Sequence, residues 1–312
     1  MARTDANATA ITVERLDGEA ALVLRAGATS FTVLPEVGLI GASLVHEGGE
    51  YLDFGGADRA RAGHTTGLPL LAPWANRLSS DRYRSGSTKV DLTDADVHRD
   101  ASGLPIHGVL VGATGWEILS VRIRSGEASV SARYDASADA RLMSVFPFEH
   151  EIGVGFALAE GRLTVTTTIE ATGRRSVPVA FGWHPYFRLP GMTRDRLRLA
   201  MPDRTRLVTD ARGVPDGTEV ELRAGAERLS TRAFDDGYRL GSVRQLVLAG
   251  GRRRVSLVSD RHYPVAQVYS PEDSDTVALE PMTAPVDALV RGTTPTVAPG
   301  TRFTARFAVS LT

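Results

Sequence analysis

The sequence predicts an all-β protein, a large antiparallel β-sandwich. Three observations predict it. Apolar residues recur with period two along most of the chain, glycine-bearing turns divide these runs into hairpins, and helical periodicity is weak. The first run, "ALVLRAGATSFTVLP" (21–35), alternates and carries turn formers at its middle. The second, "EILSVRIRSGEASVSARYD" (117–135), reads as two strands around Ser125-Gly126. "HEIGVGFALAEGRLTVTTTIEATG" (150–173) repeats the pattern around Glu160-Gly161, and "LVLAGGRRRVSLVSD" (246–260) around Gly250-Gly251. "TRFTARFAVSLT" (301–312) closes the chain as an alternating strand. Valine and threonine are abundant throughout, as a pleated surface prefers. The best helical signal is "STRAFDDGYRLG" (230–241), a short stretch.

Length and composition set the class. The chain has 312 residues, 42% hydrophobic and 23% charged, which is ordinary for a soluble globular protein. It shows no linker-like shift in composition, so residues 1–312 are expected to form a single domain. The net charge of -1, with no basic stripe, argues against nucleic acid as a partner. No apolar run approaches the roughly 20 residues that cross a bilayer, so no membrane partner is expected. The opening "MARTDANATAITVERL" lacks the apolar stretch of a secretory leader. Cysteine is absent, which excludes disulfides, thiolate nucleophiles and cysteine metal sites, and fits a cytoplasmic protein. No dinucleotide or phosphate-cradling glycine motif occurs, no fixed repeat is visible, and no G-x-S-x-G elbow is present.

Four segments break the strand pattern. "GLPLLAPWANRL" (67–78) is an apolar run ending in Asn76 and Arg77. It reads either as a strand end with an exposed arginine or as a cavity floor whose polar end meets a ligand. "GLPIHGVL" (103–110) sets His107 between an apolar residue and a glycine, where a packed histidine bonded to a carbonyl is the plainer reading. "FGWHPYF" (181–187) crowds Trp183, His184 and Tyr186 together. The proline after His184 biases that residue to an extended backbone. The aromatic faces suit the C–H patches of a sugar ring and a protein core equally. "VALEPMTAPVDAL" (277–289) places Glu280 inside an apolar frame. A buried glutamate needs a partner or a task, and burial raises its pKa toward what a general base needs near neutral pH. His107, His184 and Glu280 are too far apart in sequence to show metal-ligand spacing, so no metal site is expected.

In this order, "LAPWANRL", "PIHGVL", "FGWHPYF", "FDDGY", "QVYS" and "VALEPMTAPVDAL" resemble the aldose 1-epimerase (galactose mutarotase) family, and "VAPGTRFTARFAVSL" resembles its closing strand. The resemblance implies the galactose mutarotase-like supersandwich, an activity that interconverts the α and β anomers of an aldose, and no cofactor. It puts the general base on Glu280, the general acid on His184, and a substrate-polarising role on His107. Base and acid are expected to flank the anomeric carbon from opposite sides. It puts substrate binding on Asn76, Arg77, Asp235 (with Asp236 adjacent) and Gln267. Trp183 and Tyr186 are expected to shape the cavity wall, and Phe181 and Phe187 to sit in the core on a strand. The partner is a small sugar, and the protein a monomer or homodimer. A related branch acts on hexose 6-phosphates, for which Arg188 and Arg141 are candidates. Two other readings compete: a noncatalytic sugar-binding protein on the same sandwich, and a glycosidase using Glu280 with Asp235.

Overall fold

A computed structural model describes residues 9–312; residues 1–8 of the leader reading lie outside the described residues. The chain folds as antiparallel sheets stacked into a sandwich. The nine-stranded sheet runs, in spatial order, Gly225–Arg228, Arg198–Met201, Gln245–Gly250, Arg253–Ser259, Arg302–Leu311, Arg162–Ala171, His150–Ala159, Glu127–Asp135 and Glu117–Arg124. The eight-stranded sheet runs Pro215–Leu222, Arg204–Thr209, Phe234–Leu240, Val265–Ser270, Val277–Met282, Gly182–Trp183 and Leu70–Leu71, with Tyr186–Phe187 also on Val277–Met282. The first five strands, Ala10–Leu16 through Gly49–Glu50, form a separate meander. Its Phe31 ring lies 5.1 Å from that of Phe156 in the nine-stranded sheet.

The hairpins follow the predicted turns. Ser125-Gly126 and Glu160-Gly161 are the two-residue turns of their hairpins. The third turn falls one residue late, on Gly251-Arg252, because Gly250 stays in register with Arg253. Gly251 supplies the left-handed φ of +58° that such a turn requires.

The segment 230–241 is a correction: it contains the strand Phe234–Leu240, not a helix. Phe234, Tyr238 and Leu240 are spaced by even numbers, which places all three on one face of a strand and scatters them around a helix. All three join the main core.

Trp183 is a second correction. It is fully buried between the sheets rather than on the cavity wall. Its Nε1 donates to Thr167 Oγ1 at 2.9 Å, and its ring meets Phe156 and Phe307 at 5.8 and 6.1 Å. The hydrogen bond answers the one polar atom of a side chain otherwise committed to apolar packing. Phe181 and Phe187 are core residues as expected, although only Phe187 lies in a strand.

Alternation then fixes which side chains leave the core. In Val277–Met282, Val277 and Leu279 join the main core. Met282, on the other face, joins a smaller cluster with Leu71, Ala75 and Val265. Glu280 shares the face of Met282. Among the described residues no helix is long and apolar enough to cross a membrane.

Candidate active site

The outer face of the eight-stranded sheet carries a row of polar side chains. Gly237, Gln267 and Glu280 stand side by side on three neighbouring strands. Asp235 shares their face, two residues along from Gly237. Asp236 points the other way and accepts from the Tyr238 hydroxyl at 3.2 Å. Asp235 rather than Asp236 therefore enters the cavity. Gly237 keeps the row open, since a Cβ there would lie 3.0 Å from Gln267 Oε1.

Two segments cover this face. The loop after Trp74 pairs with the loop around His107 through a bridge between Arg77 and Ile106 and a bond from His107 N to Asn76 O of 3.1 Å. Asn76 and His107 both adopt left-handed backbone, at φ +59° and +65°. Such a conformation costs a β-carbon-bearing residue of order 1–3 kcal/mol and persists where its surroundings impose it. Gly108 supplies part of that constraint: it approaches Ala72 so closely that a Cβ would meet the carbonyl oxygen at 2.1 Å.

The result is a cavity of about 270 Å³. On its floor His184 Nε2 lies 3.2 Å from Glu280 Oε1. Their exposures are 4% and 1%. His184 stacks on Tyr186 with ring centroids 4.3 Å apart, and Tyr186 bonds Thr65 Oγ1 through its hydroxyl at 2.6 Å. His107 meets His184 edge-on at 5.5 Å. Burial pushes the Glu280 carboxyl well above its ordinary range, with the Asp235 charge adding to the effect and Arg77 opposing it. Burial pulls His184 down to about 3. His107 is also held well below the ordinary histidine value, by burial first and then by the positive fields of His184 and Arg77.

Arg77 ties together one wall of the cavity. Its Nε donates to Asp100 at 2.8 Å and its terminal nitrogen to Asp235 at 3.2 Å. Asn76 Oδ1 accepts from the Arg77 backbone N–H at 2.9 Å. Gln267 Nε2 donates to Asp235 Oδ1 at 2.7 Å. Glu280 Oε2, His184 Nδ1, His107 Nδ1 and Gln267 Oε1 are buried without a protein partner. Each such atom costs about 1–3 kcal/mol unless a ligand or water engages it. Among the described residues no group of three or more histidine or acidic side chains is placed to hold a metal ion.

The fold gathers six of the seven expected residues around the cavity; Gln267 lies just behind them, bonded to Asp235. Tyr186 lines the cavity as expected and Trp183 does not. Glu280 and His184 are in direct contact rather than on opposite sides, because the strand Gly182–Trp183 pairs with Val277–Met282. Arg188 is exposed and outside the lining, and Arg141 faces a neighbouring cavity. Seven lining residues were not anticipated, among them His64, His98, Asp100 and Tyr269. Asp100 had a readable signal, since an aspartate before Ser102 and Gly103 caps a turn, and its Oδ1 accepts from Ser102 N and Leu104 N. His64 and His98 had none; their rings meet 5.4 Å apart only in the fold.

The site thus joins a buried carboxyl–imidazole pair to an arginine–aspartate network on one face of a β-sandwich. The chain belongs to the aldose 1-epimerase family, whose model matches residues 54–310. Among solved structures it is similar to a galactose mutarotase-like protein from Clostridium acetobutylicum (17% identity, 97% of this chain and 98% of that one, TM-score 0.87). It is also similar to galactose 1-epimerase from Lactobacillus acidophilus NCFM (15% identity, 98% and 99%, TM-score 0.78). A third is a galactose mutarotase-like protein from Lactobacillus casei ATCC 334 (18% identity, 94% and 100%, TM-score 0.71). These likenesses carry the fold. No curated protein matches the sequence.

Proposed function

We propose that the protein is an aldose 1-epimerase, interconverting the α and β anomers of an aldose by acid–base opening and reclosure of the ring. The observation that carries the reading is the 3.2 Å contact between His184 and Glu280 on the cavity floor. The pair holds one proton. Burial favours its uncharged form, with the proton on the carboxyl. Moving that proton to Nε2 creates a carboxylate base and an imidazolium acid without exchange with solvent.

The carboxylate then takes the proton of the C1 hydroxyl. A C1–O1 double bond forms, the C1–O5 bond breaks, and O5 takes the imidazolium proton. O1 and O5 are both bonded to C1, so an acid and a base in contact reach both from one side. Ring opening returns the pair to its uncharged form, the one burial favours. Rotation about C1–C2 presents the other carbonyl face, and reclosure reverses the transfers. His107 polarises the substrate, and Asn76, Arg77 and Asp235 orient its hydroxyls, with Gln267 holding Asp235 in place.

Among the competitors, a glycosidase needs a second carboxylate free to act on the anomeric centre. Asp235 is bonded to Arg77 and Gln267, and Glu280 faces an imidazole. A noncatalytic sugar binder has no use for a buried proton-sharing pair. We place the protein in the cytoplasm on its lack of cysteine, as a single domain. Polarimetry on freshly dissolved single anomers of a panel of aldoses tests the function. Enzyme-dependent decay of rotation for at least one sugar is expected, and unchanged decay across the panel rejects it.

A further inference from the structure

A second cavity of about 390 Å³ adjoins the first and shares His98 and His107 with it as walls. We infer that it is a subsite for a second saccharide unit, so that the substrate is a reducing oligosaccharide whose end ring lies over Glu280 and His184. The inference rests on the proposed function of the first cavity. That cavity, at about 270 Å³, falls just below the roughly 300–1,000 Å³ usual for ligand sites, which suits one ring, so a second ring would extend into the adjoining cavity.

The lining is amphipathic in the way a sugar ring is. Ala62, Val109 and Val111 offer apolar contact, and Arg61, Asp96 and Arg141 offer polar groups. Arg141 Nε lies 3.3 Å from Asp96 Oδ2, and its terminal nitrogens donate to the carbonyls of Val109 and Asp96. Arg61 pairs with Glu19 at 2.8 Å. Both guanidinium charges are thus matched. A phosphate or carboxylate would compete with those acids. A hydroxyl donates to the carboxylate and accepts from the guanidinium at once. The chemistry therefore selects a neutral polyhydroxyl group over an anion. Gly63 leaves the wall clear, with open space where a side chain would stand.

The test compares glucose and galactose with maltose, cellobiose, isomaltose and melibiose, by anomer interconversion rate and by calorimetric binding, in the wild type, Val111→Phe and Arg141→Met. We expect kcat/KM for at least one disaccharide to exceed that of its reducing-end monosaccharide tenfold or more. Both variants should remove that advantage and leave monosaccharide rates within twofold. Equal wild-type values for disaccharides and monosaccharides, or variants that leave the ratio unchanged, overturn the inference. If no sugar is turned over, the binding data still decide. A disaccharide advantage in Kd that the variants abolish supports the subsite while rejecting the catalytic reading, and no such advantage overturns both.

Discussion

His184 and Glu280 meet through Nε2 and Oε1 at 3.2 Å, although nearly a hundred residues separate them in the chain. Glu280 lies in the strand Val277–Met282 and His184 directly follows Gly182–Trp183, which pairs with it; both side chains are buried. A carboxyl and an imidazole in water would each titrate alone. Here the contact lets them act as one unit under the proposed function, exchanging a proton internally.

If the two residues form one unit, their substitutions are not additive. Glu280→Gln and His184→Asn should each lower kcat by roughly 10²–10⁴-fold, the usual contribution of positioned acid–base groups. The double variant should fall no further than the worse single one. Steady-state rates with circular dichroism as a fold control check this, and fully multiplicative losses would show two independent groups.

The pair also sets a pH signature on stability. In the folded protein one proton stays on the pair, with Glu280 held up and His184 held down to about 3. The unfolded chain has ordinary values of 4.5 and 6.5 and binds two protons below that window, one within it and none above it. The pair's contribution is therefore flat between pH 4.5 and 6.5. It falls on either side, by about 1.4 kcal/mol per pH unit for each proton. In Glu280→Gln only the depressed histidine remains, so the loss begins below pH 6.5 and the alkaline limb disappears. In His184→Asn only the raised carboxyl remains, so the loss begins as pH rises above 4.5. Urea unfolding across pH, taken as differences from wild type, reads these limbs directly.

The two adjacent aspartates should separate cleanly. Asp235→Asn weakens the hold of Arg77 and Gln267 on the binding face and should raise KM about tenfold, a loss of about 1.4 kcal/mol. Asp236→Asn lies on the opposite face and should leave KM within twofold. Kinetics on any accepted sugar distinguish them, and equal effects would place the wrong residue in the cavity.

Trp183→Phe should destabilise the protein by about 1–3 kcal/mol, because it strands the Thr167 hydroxyl and leaves space between the sheets. The folded fraction should keep kcat within twofold. A large kcat loss at unchanged stability would mean that Trp183 does act on the site.

Much of this was legible in the sequence because period two carries two messages. It marked the hairpins at Ser125-Gly126 and Glu160-Gly161, and it separates Asp235 from Asp236 once the strand is known. Phe234–Leu240 was hidden because Asp235, Asp236 and Gly237 interrupt the run with poor strand formers, and its even spacing tells only once Arg204–Thr209 and Val265–Ser270 pair with it. Trp183 and His184 are adjacent, yet one enters the core and the other the cavity; alternation dictates the split but not which face is which. The contact of His184 with Glu280, and the approach of His98 to His64, depend on sheet order and loop packing that no local pattern encodes.

The most direct measurement is the rate of α–β interconversion by two-dimensional exchange NMR on an aldose panel, with wild type and Glu280→Gln side by side. The proton-sharing pair predicts exchange that rises in proportion to wild-type enzyme for at least one sugar, with Glu280→Gln lower by roughly 10²-fold or more. Exchange at the uncatalysed rate for every sugar, or a Glu280→Gln variant as fast as wild type, contradicts it.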